Sequence, residues 1–388
     1  MLNVAHVSLV YPKFHLENVM TPITKRIGVL GAGQLGRMLA IAGYPLGQKF
    51  GFYGMSEDEP SALLGHMYKQ ADDADSLSQL IEFADVVTYE SENTSVEQVR
   101  EIAKSKPVFP SEKSLYASQH RGREKGLFKQ LGIPCAPYEV IHSLEALKKA
   151  VEIIGIPSIL KTTTEGYDGK GQFLIKDEEQ IEQAWNEVGQ GELILEGFVD
   201  FHRELSIVAV RNAQNEHVYY PLVQNVHHKG ILRYTIAPAR DVNEYVQKTA
   251  ESYMEKLLDE LDHVGVLTLE LFETEYGLVV NEMAPRVHNS GHWTIEGART
   301  NQFENHVRAI TGMHLGETSL RQPLAAMINI IGETGPVEKV LEMDGAFLHL
   351  YDKAEREGRK LGHITLIAET EDELYQKITE LNAFLPKI

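Results

Sequence analysis

With 388 residues, 43% of them apolar and 24% charged, the chain has a globular composition and exceeds one ordinary hydrophobic core, so two or three domains are expected. A net charge of −19 argues against binding nucleic acid through a generally basic surface, although local Arg and Lys clusters can still bind anionic substrates. The single cysteine, Cys135, excludes an internal disulfide framework and a thiolate metal site, and the lack of apolar runs of about 18 residues predicts no membrane span.

The first 25 residues lack the basic start, long apolar run and cleavage site of a signal peptide, and we interpret them as an extension or a tail. From Arg26 to about Ser118, predicted strands at 26–30, 49–53 and 85–92 alternate with helices, the first of them at 37–42. This alternation predicts a parallel sheet covered by helices.

A glycine-rich loop, Gly31-Ala-Gly-Gln-Leu-Gly36, joins the first strand to the first helix. Its spacing matches the dinucleotide-binding pattern, which also requires an acidic residue about 20 positions on, at the end of the next strand. The next acid after that strand is Glu57, which disfavours a nicotinamide cofactor. Two interpretations stay open: the loop holds another phosphate at the helix N-terminus, or its glycines only allow close strand–helix packing.

The second segment, residues 119–316, begins with a basic helix and carries a loop rich in threonine and glycine between predicted strands at 158–161 and 172–176. Loop 162–171 offers free backbone N–H groups, as expected of a mobile phosphate cover, and a hairpin loop without a ligand is an equal alternative. The loop lacks the Gly-Lys-Ser/Thr of a Walker A motif. Lys161, on the entering strand, can place its charge on a phosphate.

A further apolar strand, 192–199, ends in Glu196-Gly-Phe-Val and exposes backbone groups beside an apolar wall, as an adenine site requires. Any strand end does the same, so the pattern alone is not decisive. Alternation in the next strand places Glu204 and Ser206 on one face, where Glu204 could accept from a ribose hydroxyl or be solvated.

Two acidic residues, Glu270 and Glu282, lie on either side of a predicted β-turn at Tyr276-Gly277. A hairpin symmetric about position 276 places them opposite one another, about 5 Å apart, where like charges repel. A cation between them removes this repulsion, and hard oxygen ligands favour Mg²⁺ completed by water and phosphate oxygens. Asn281 adds another oxygen, and we favour this metal site over two solvated glutamates.

The polar loop 285–293 starts three residues after Glu282, so we expect it to project into the same cleft and contact the substrate. The last segment, from about Glu317, combines predicted strands at 325–331, 346–351 and 364–368 with a final helix at 370–384. It also carries a basic patch that suits a phosphate monoester, with a solvated turn as the alternative. The cations of this patch are Lys353, Arg356, Arg359, Lys360 and, if protonated, His363.

The chain resembles the ATP-grasp enzymes, in which a strand lysine, a glycine-rich hairpin loop, a Glu-Gly-Phe-Val strand end and two glutamates occur in this order. More narrowly, it resembles the 5-(carboxyamino)imidazole ribonucleotide synthetases of purine biosynthesis, through residues 33–39, 88–93, 166–172, 281–292 and 358–363. The match runs from Arg26 to the C-terminus, with Ala32 where a third consecutive glycine is usual.

This resemblance implies an α/β chain with an ATP-grasp fold. An N-terminal Rossmann-like (pre-ATP-grasp) parallel-sheet domain is expected at 26–118, after the extension at 1–25. The ATP-grasp domain is expected at 119–316, with its lid at about 134–200, and a small β-rich C-terminal domain at 317–388.

The resemblance also implies a ligase reaction in which ATP, bicarbonate and 5-aminoimidazole ribonucleotide give the N-carboxyamino nucleotide, ADP and phosphate through carboxyphosphate. It implies Mg²⁺ as the cofactor, with Mn²⁺ as a substitute, and a cytoplasmic homodimer acting on small molecules rather than on nucleic acid or membranes. Carboxyphosphate hydrolyses readily, so a mobile glycine loop that excludes water fits this chemistry.

The implied site residues fall into four sets. The metal ligands are Glu270 and Glu282. ATP contacts are implied for Arg121, Lys161, Gly166, Tyr167, Asp168, Gly169, Lys170, Gly171, Gln172, Glu196, Gly197, Phe198, Val199, Glu204, His227, Asn281 and Glu282. Substrate contacts are implied for Gln34, Leu35, Glu90, Asn93, Asp168, Lys170, Arg286, His288, Asn289, Ser290, Lys353, Arg359 and Lys360. Catalytic roles are implied for Asp168, Lys170, Arg286 and His288.

Three alternatives stay open at this stage. Another ATP-grasp carboxylate–amine ligase, a formate-dependent glycinamide ribonucleotide transformylase or a biotin carboxylase would share most of these motifs, although loop 285–293 and the basic patch argue against them. The interpretation as a dinucleotide-binding oxidoreductase is based on the glycine loop alone. A nucleotide-binding regulatory protein without catalysis would not need the intact glutamate pair.

Overall fold

The computed structural model describes residues 23–70, 75–164, 166, 171–189, 191–383 and 385. Expectations for most of the N-terminal extension and for the loop residues Tyr167, Asp168, Gly169 and Lys170 lie outside the described residues. Three sheets organise the described chain, with four, four and nine strands.

The N-terminal unit is a four-stranded parallel sheet in the order β3-β2-β1-β4, as the alternating pattern predicted. Short apolar strands such as β1 are buried on both faces because helices cover them. The expected strand at 85–92 ends early, at Tyr89. The elements are β1 (Arg26–Leu30), α1 (Gln34–Gly43), β2 (Lys49–Gly54), β3 (His66–Lys69), α2 (Ser76–Phe83), β4 (Val86–Tyr89), α3 (Val96–Ala103) and α4 (Glu112–Ser118).

The second unit is an antiparallel sheet in the order β5-β8-β6-β7, packed against two helices through Leu147, Leu160 and Leu195. The strand expected at 192–199 covers only Leu193–Gly197, so Phe198 and Val199 lie beyond its end. The elements are α5 (Arg121–Gln130), β5 (Tyr138–Ile141), α6 (Leu144–Ile154), β6 (Ser158–Thr162), β7 (Gln172–Ile175), α7 (Ile181–Val188) and β8 (Leu193–Gly197).

The third unit is built on the nine-stranded antiparallel sheet, whose main path runs β14-β13-β9-β11-β12-β15-β17-β16. Side chains of Asn243 and Asn301 cap the N-termini of two of its helices, which fixes where each of these helices begins. The elements are β9 (Arg203–Arg211), β10 (His217–Tyr219), β11 (Val223–His228), β12 (Ile231–Ala237), α8 (Glu244–Glu260), β13 (Gly265–Thr274), β14 (Gly277–Ala284), α9 (Thr294–Gly297), α10 (Gln302–Thr311), β15 (Leu324–Ile331), α11 (Val337–Leu341), β16 (Ala346–Leu350), β17 (Lys360–Ala368) and α12 (Glu371–Asn382).

The C-terminal strands extend the nine-stranded sheet rather than forming a sheet of their own. β15 pairs with β12, with Tyr234 opposite Ile328, and β17 and β16 follow outward. The glutamate hairpin and the two strands that flank the basic patch therefore belong to one continuous sheet. Among the described helices, none combines the length and the apolar character needed to cross a bilayer.

Candidate active site

The glutamate hairpin carries the predicted pair, with Glu270 of β13 directly opposite Glu282 of β14. The pairing is confirmed, but the symmetry argument behind it was incomplete. The turn is tighter than expected, because Thr274 pairs with Gly277, and the register then shifts by one residue between Glu270 and Leu271. Asn281 is the extra residue of this β-bulge, and the bulge brings the two glutamates level.

The paired carboxylates fit a hard divalent cation. The Glu270 side chain is only 15% exposed, and burial, followed by the charge of Glu282, raises its pKa. Glu282 is exposed, and two carboxylates that oppose each other gain by sharing a cation, for which carboxylate oxygens suit Mg²⁺. No group of three or more His, Cys, Asp or Glu ligands occurs in the described chain, so amide, water or phosphate oxygens would complete the coordination.

The lysine of the second sheet lies beside a buried carboxylate. Lys161 Nζ donates to Glu196 Oε2 at 2.9 Å, and Lys125 Nζ lies 3.5 Å from the same oxygen. Burial alone would raise the pKa of Glu196, but the two lysines outweigh it and lower that pKa. Glu196 thus serves as the counter-ion of two lysines.

Arg121 ties the N-terminus of α5 to the glycine-rich loop. Its guanidinium donates to the carbonyl oxygens of Thr162 (2.8 Å) and Gly166 (2.9 Å), at the entry of the loop. A cavity of about 370 Å³ is lined by Thr162, Gly166 and Gly171 together with the chain around Leu193. Phe198, beyond the end of β8, is 46% exposed.

Glu204 and His227 come together on neighbouring strands, with the Glu204 Oε2 to His227 Nδ1 distance at 2.8 Å. Burial alone would lower the pKa of His227, but Glu204 outweighs it and the pKa is raised. The charges of Glu270 and Lys360 also act on this histidine, so the pair lies within electrostatic reach of the glutamate hairpin.

The glycine loop of the N-terminal sheet is occupied by a carboxylate from the chain itself. Glu90, which follows β4, accepts from the backbone N–H groups of Gly33 and, at 2.6 Å, Gly36. A Cβ added at Gly31 or Gly33 would lie 2.5 or 2.8 Å from Glu90, which explains the glycines. The N–H groups that the open phosphate interpretation required are therefore already bonded, and β4 ends at Tyr89 so that Glu90 can turn into this position.

Arg286 joins the glutamate hairpin to the N-terminal unit. Its guanidinium forms a bidentate ion pair with Glu92, in which the distance from Nη2 to Oε1 is 2.7 Å. Burial alone would raise the pKa of Glu92, but Arg286 outweighs it and lowers that pKa to about 2. The guanidinium is therefore held in a fixed orientation between the two units.

His288 is held as a neutral donor. The Ser206 hydroxyl donates to Ser290 Oγ at 2.8 Å. The Ser290 hydroxyl then donates its own proton to His288 Nδ1, also at 2.8 Å. The Ser290 backbone N–H also points at Nδ1, so the proton of His288 lies on Nε2, 3.4 Å from Glu270 Oε1. Burial, and next the charge of Arg286, lower the pKa of His288 to about 3.

Two substrate contacts expected in loop 285–293 have other partners. Ser290 is fully buried and supports His288, so the structure argues against direct substrate contact by this residue. Asn289 exchanges two amide hydrogen bonds with Asn329, at 3.0 and 2.7 Å, which orients the loop from behind. Both residues help to position the loop, and the substrate contact expected of the partly buried Asn289 stays a prediction.

The basic patch contacts the N-terminal unit. Lys353 Nζ donates to Gln34 Oε1 at 3.2 Å, and a cavity of about 550 Å³ is lined by Lys353, Arg37 and Leu361, among others. Burial, and next the charge of Arg359, lower the pKa of Lys353 to about 8. The expectation that His363 adds a cation was wrong, because it is fully buried and burial drives its pKa well below the ordinary value.

The remaining predicted contacts lie around this patch. Lys360 opens β17 instead of lying in a turn, and its charge acts on Glu270, His288 and Lys353. Leu35 packs against the core, and Asn93 is exposed on the loop after β4. The described residues thus place the basic patch, Arg286 and His288 within reach of the glutamate pair.

Family profiles cover most of the chain: the ribonucleotide synthetase preATP-grasp domain at residues 24–119, the ATP-grasp domain at 126–303 and the phosphoribosylaminoimidazole carboxylase C-terminal domain at 325–377. Over 361 residues the chain is 45% identical to N5-carboxyaminoimidazole ribonucleotide synthase of Pseudomonas aeruginosa, an alignment that covers 93% of this chain and 99% of that protein. The chain belongs to the N5-carboxyaminoimidazole ribonucleotide synthase family. The Bacillus subtilis member is 40% identical over 359 residues, covering 91% and 94% of the two chains.

Solved structures of N5-carboxyaminoimidazole ribonucleotide synthases share the whole fold. The enzyme from Thermus thermophilus gives a TM-score of 0.89 at 45% identity, covering 93% of this chain and 99% of that one. The enzyme from Aspergillus clavatus, in complex with ADP and 5-aminoimidazole ribonucleotide, gives 0.85 at 30% identity, covering 93% and 98%. The predicted α/β ATP-grasp architecture with a preATP-grasp parallel sheet is confirmed.

Two buried charged residues of this N5-carboxyaminoimidazole ribonucleotide synthase family member were missed. Glu124 and Lys125 are adjacent on α5, only 3% and 1% exposed, and both contact the backbone of β14. In sequence they belong to the basic helix after residue 119 and are typical of a solvated face. The spacing of charged residues along α5 carried no signal that these two turn inward.

Proposed function

We propose that this chain uses ATP and bicarbonate to carboxylate the exocyclic amine of 5-aminoimidazole ribonucleotide. A bicarbonate oxygen attacks the γ-phosphorus of ATP, the bond to ADP breaks, and carboxyphosphate forms. The amine then attacks the carboxyl carbon, phosphate leaves and the amine loses a proton. The products are N5-carboxyaminoimidazole ribonucleotide, ADP and phosphate, a step of purine biosynthesis.

The residues at one end of the site suit ATP. Lys161 and Arg121 would face the phosphates at the glycine-rich loop, with the adenine near Glu196 to Val199 and the ribose near Glu204 and His227. Glu270 and Glu282 would hold Mg²⁺, which supplies charge neutralisation on the triphosphate when bound. Mn²⁺ would fit the same carboxylates.

The residues at the other end suit a phosphorylated acceptor and an anionic carboxyl donor. Lys353, Arg359 and Lys360 supply the charge that a phosphate monoester requires. The guanidinium of Arg286 is fixed by Glu92 close to the hairpin, and the Nε2–H of His288 lies 3.4 Å from Glu270 Oε1. We assign bicarbonate, and the carboxyl group derived from it, to these two residues, and we carry over catalytic roles for Asp168 and Lys170 from the family resemblance.

The observation that carries the proposal is the opposed Glu270–Glu282 pair, which lies on the sheet that the basic patch joins at Lys360 and is linked through Lys125 to Glu196 of the second sheet. A pair of carboxylates alone would fit many metal sites. Its combination with a cationic phosphate site on the same ladder favours an ATP-dependent ligase acting on a ribonucleotide. We further propose, from the family resemblance, that the enzyme is a homodimer in the cytoplasm.

The test is a measurement of ADP release with Mg²⁺–ATP over a substrate panel. We expect release to require 5-aminoimidazole ribonucleotide and bicarbonate together, and labelled bicarbonate to enter the product. Formate with glycinamide ribonucleotide, and bicarbonate with biotin, should give background rates. ADP release with either of those pairs, and none with aminoimidazole ribonucleotide, would assign the chain to a different ATP-grasp reaction.

A further inference from the structure

Two buried ionisable side chains of α5 contact the edge strand β14 from outside. It is the first strand of the nine-stranded sheet, and on its outer row the N–H of Val280 donates to the carbonyl of Pro134 at 2.8 Å. Lys125 Nζ donates to the carbonyl of Asn281 at 2.8 Å, and Glu124 Oε1 accepts from the N–H of Met283 at 2.7 Å. These two peptide groups flank Glu282 on either side.

The bulge at Asn281 decides which way Glu282 points. Between the turn and Leu271 the two strands pair without interruption, and Leu271 lies opposite Val280. Without the bulge, the next pair would place Asn281 opposite Glu270. Glu282 would then lie opposite Leu269, which is fully buried, because a one-residue slip moves a side chain to the other face of the sheet. The extra residue restores Glu282 to the face of Glu270.

Lys125 holds the carbonyl of the bulge residue itself. The same ammonium lies 3.5 Å from Glu196, the carboxylate that also binds Lys161. Its side chain is only 2% exposed, which argues against direct contact with a nucleotide. Keeping a charge at such depth requires that it be paired and hydrogen-bonded, and its partners are the bulge and the nucleotide-side carboxylate.

We propose that Lys125 is a positioning residue for the metal site: it fixes the Asn281 bulge and thereby sets Glu282 opposite Glu270. Glu124 supports the same peptide segment from its other end. The Lys125 ammonium also links the hairpin to the Glu196–Lys161 pair. This link fixes the distance between the metal ligands and Lys161, the lysine proposed to bind phosphate. This inference rests on the proposed metal-dependent use of ATP.

The test compares Lys125→Met, which keeps the length but loses the donor and the charge, with Lys129→Met, an exposed lysine on the same helix. Binding of Mn²⁺ in the presence of ADP is titrated by electron paramagnetic resonance. Amide hydrogen exchange is followed on the peptide 277–284. We expect Lys125→Met to weaken Mn²⁺ binding at least about tenfold and to speed exchange in this peptide, as loss of an outer-shell partner does elsewhere. Lys129→Met should stay within about twofold of the wild type.

A folded Lys125→Met variant with wild-type Mn²⁺ affinity would overturn the inference. Because the variant leaves Glu196 with one counter-ion fewer, Lys125→Met is also made in the Glu196→Gln background and compared with Glu196→Gln alone. The tenfold loss should persist there. Unfolding of both variants would equally overturn the inference, since a side chain that the whole fold requires is not a specific positioning residue.

The same measurements separate this inference from the proposed reaction. A wild-type chain that binds Mn²⁺ with ADP but does not turn over aminoimidazole ribonucleotide would overturn the carboxylation and leave the role of Lys125 standing. A wild-type chain that binds no Mn²⁺ would overturn the metal site and the positioning role together.

Discussion

Replacing Glu282 by Gln should destroy activity and yet stabilise the metal-free protein. The Cβ atoms of opposed residues in a hairpin lie about 5 Å apart, and we take this value as the separation of the two charges. At an effective dielectric constant of about 20 their repulsion is about 3 kcal/mol when both are ionised. Above the raised pKa of Glu270 the metal-free wild type bears this cost, so Glu282→Gln should be more stable by about 1–3 kcal/mol at pH 8. The difference should shrink towards pH 5, where Glu270 holds its proton.

The assay is unfolding of both proteins with and without Mg²⁺–ADP at pH 8 and pH 5. Mg²⁺–ADP at about 100 times its dissociation constant should stabilise the wild type by about 2.7 kcal/mol and leave the variant nearly unchanged. Glu275→Gln, an exposed site at the turn of the same hairpin, is the control and should change neither property. A Glu282→Gln protein that is less stable than the wild type without metal, or that keeps near-normal ADP release, would refute the reasoning.

Three further predictions concern other parts of the molecule. Because the pKa of Lys353 is lowered to about 8, this side chain loses its charge as the pH rises through 8, and kcat/KM for aminoimidazole ribonucleotide should fall. Lys353→Arg keeps its charge and should show no such fall in a pH–rate profile. Glu92→Gln leaves the partly buried guanidinium of Arg286 with a weaker partner, so we expect a loss of about 1–3 kcal/mol in the unfolding free energy and a raised KM for the ribonucleotide; wild-type values for both would contradict the role of this pair. Burial lowers the pKa of His306 to about 3, so only the unfolded protein gains a proton at this residue as the pH falls from 6.5 towards 3. The free energy of unfolding therefore decreases in that window by up to about 1.4 kcal/mol per pH unit. In denaturation experiments, the pH dependence of the unfolding free energy of His306→Gln should be less steep by that amount.

The hairpin illustrates how far the sequence pattern could reach. Turn residues and alternation identified the two strands, and the predicted pairing of Glu270 with Glu282 is confirmed. The assumed centre of the turn was wrong, and the bulge at Asn281 compensated for it. A bulge depends on contacts from outside the strand, here from Lys125, and strand periodicity contains no information about such contacts.

The glycine loop illustrates what the local pattern could not supply. Its spacing indicated a helix N-terminus that attracts an anion, and the physical reading of that terminus was sound. The anion is the carboxylate of Glu90, 57 residues from Gly33 along the chain. Only the packing of β4 beside β1 brings it there, so sequence alone left two interpretations open.

Charge patterns were the least reliable guide. His363 was grouped with the cations because of its neighbours in sequence, but β17 carries it into the interior, where it is neutral. Glu124 and Lys125 are typical of a solvated helix face and instead lie in the core. In each case tertiary burial, which sequence spacing does not reveal, determined the role of the charge.

The union of the C-terminal strands with the central sheet has a consequence for engineering this protein. Because β12 pairs with β15, a truncation before Leu324 would leave β12 as an unpaired edge strand. Its exposed peptide groups and apolar side chains would then favour self-association. A chimera that exchanged this portion between relatives would succeed only if the incoming strand reproduced the Tyr234–Ile328 alignment. The portion that carries the basic patch is therefore not a detachable module, and its residues have to be changed within the sheet rather than by grafting.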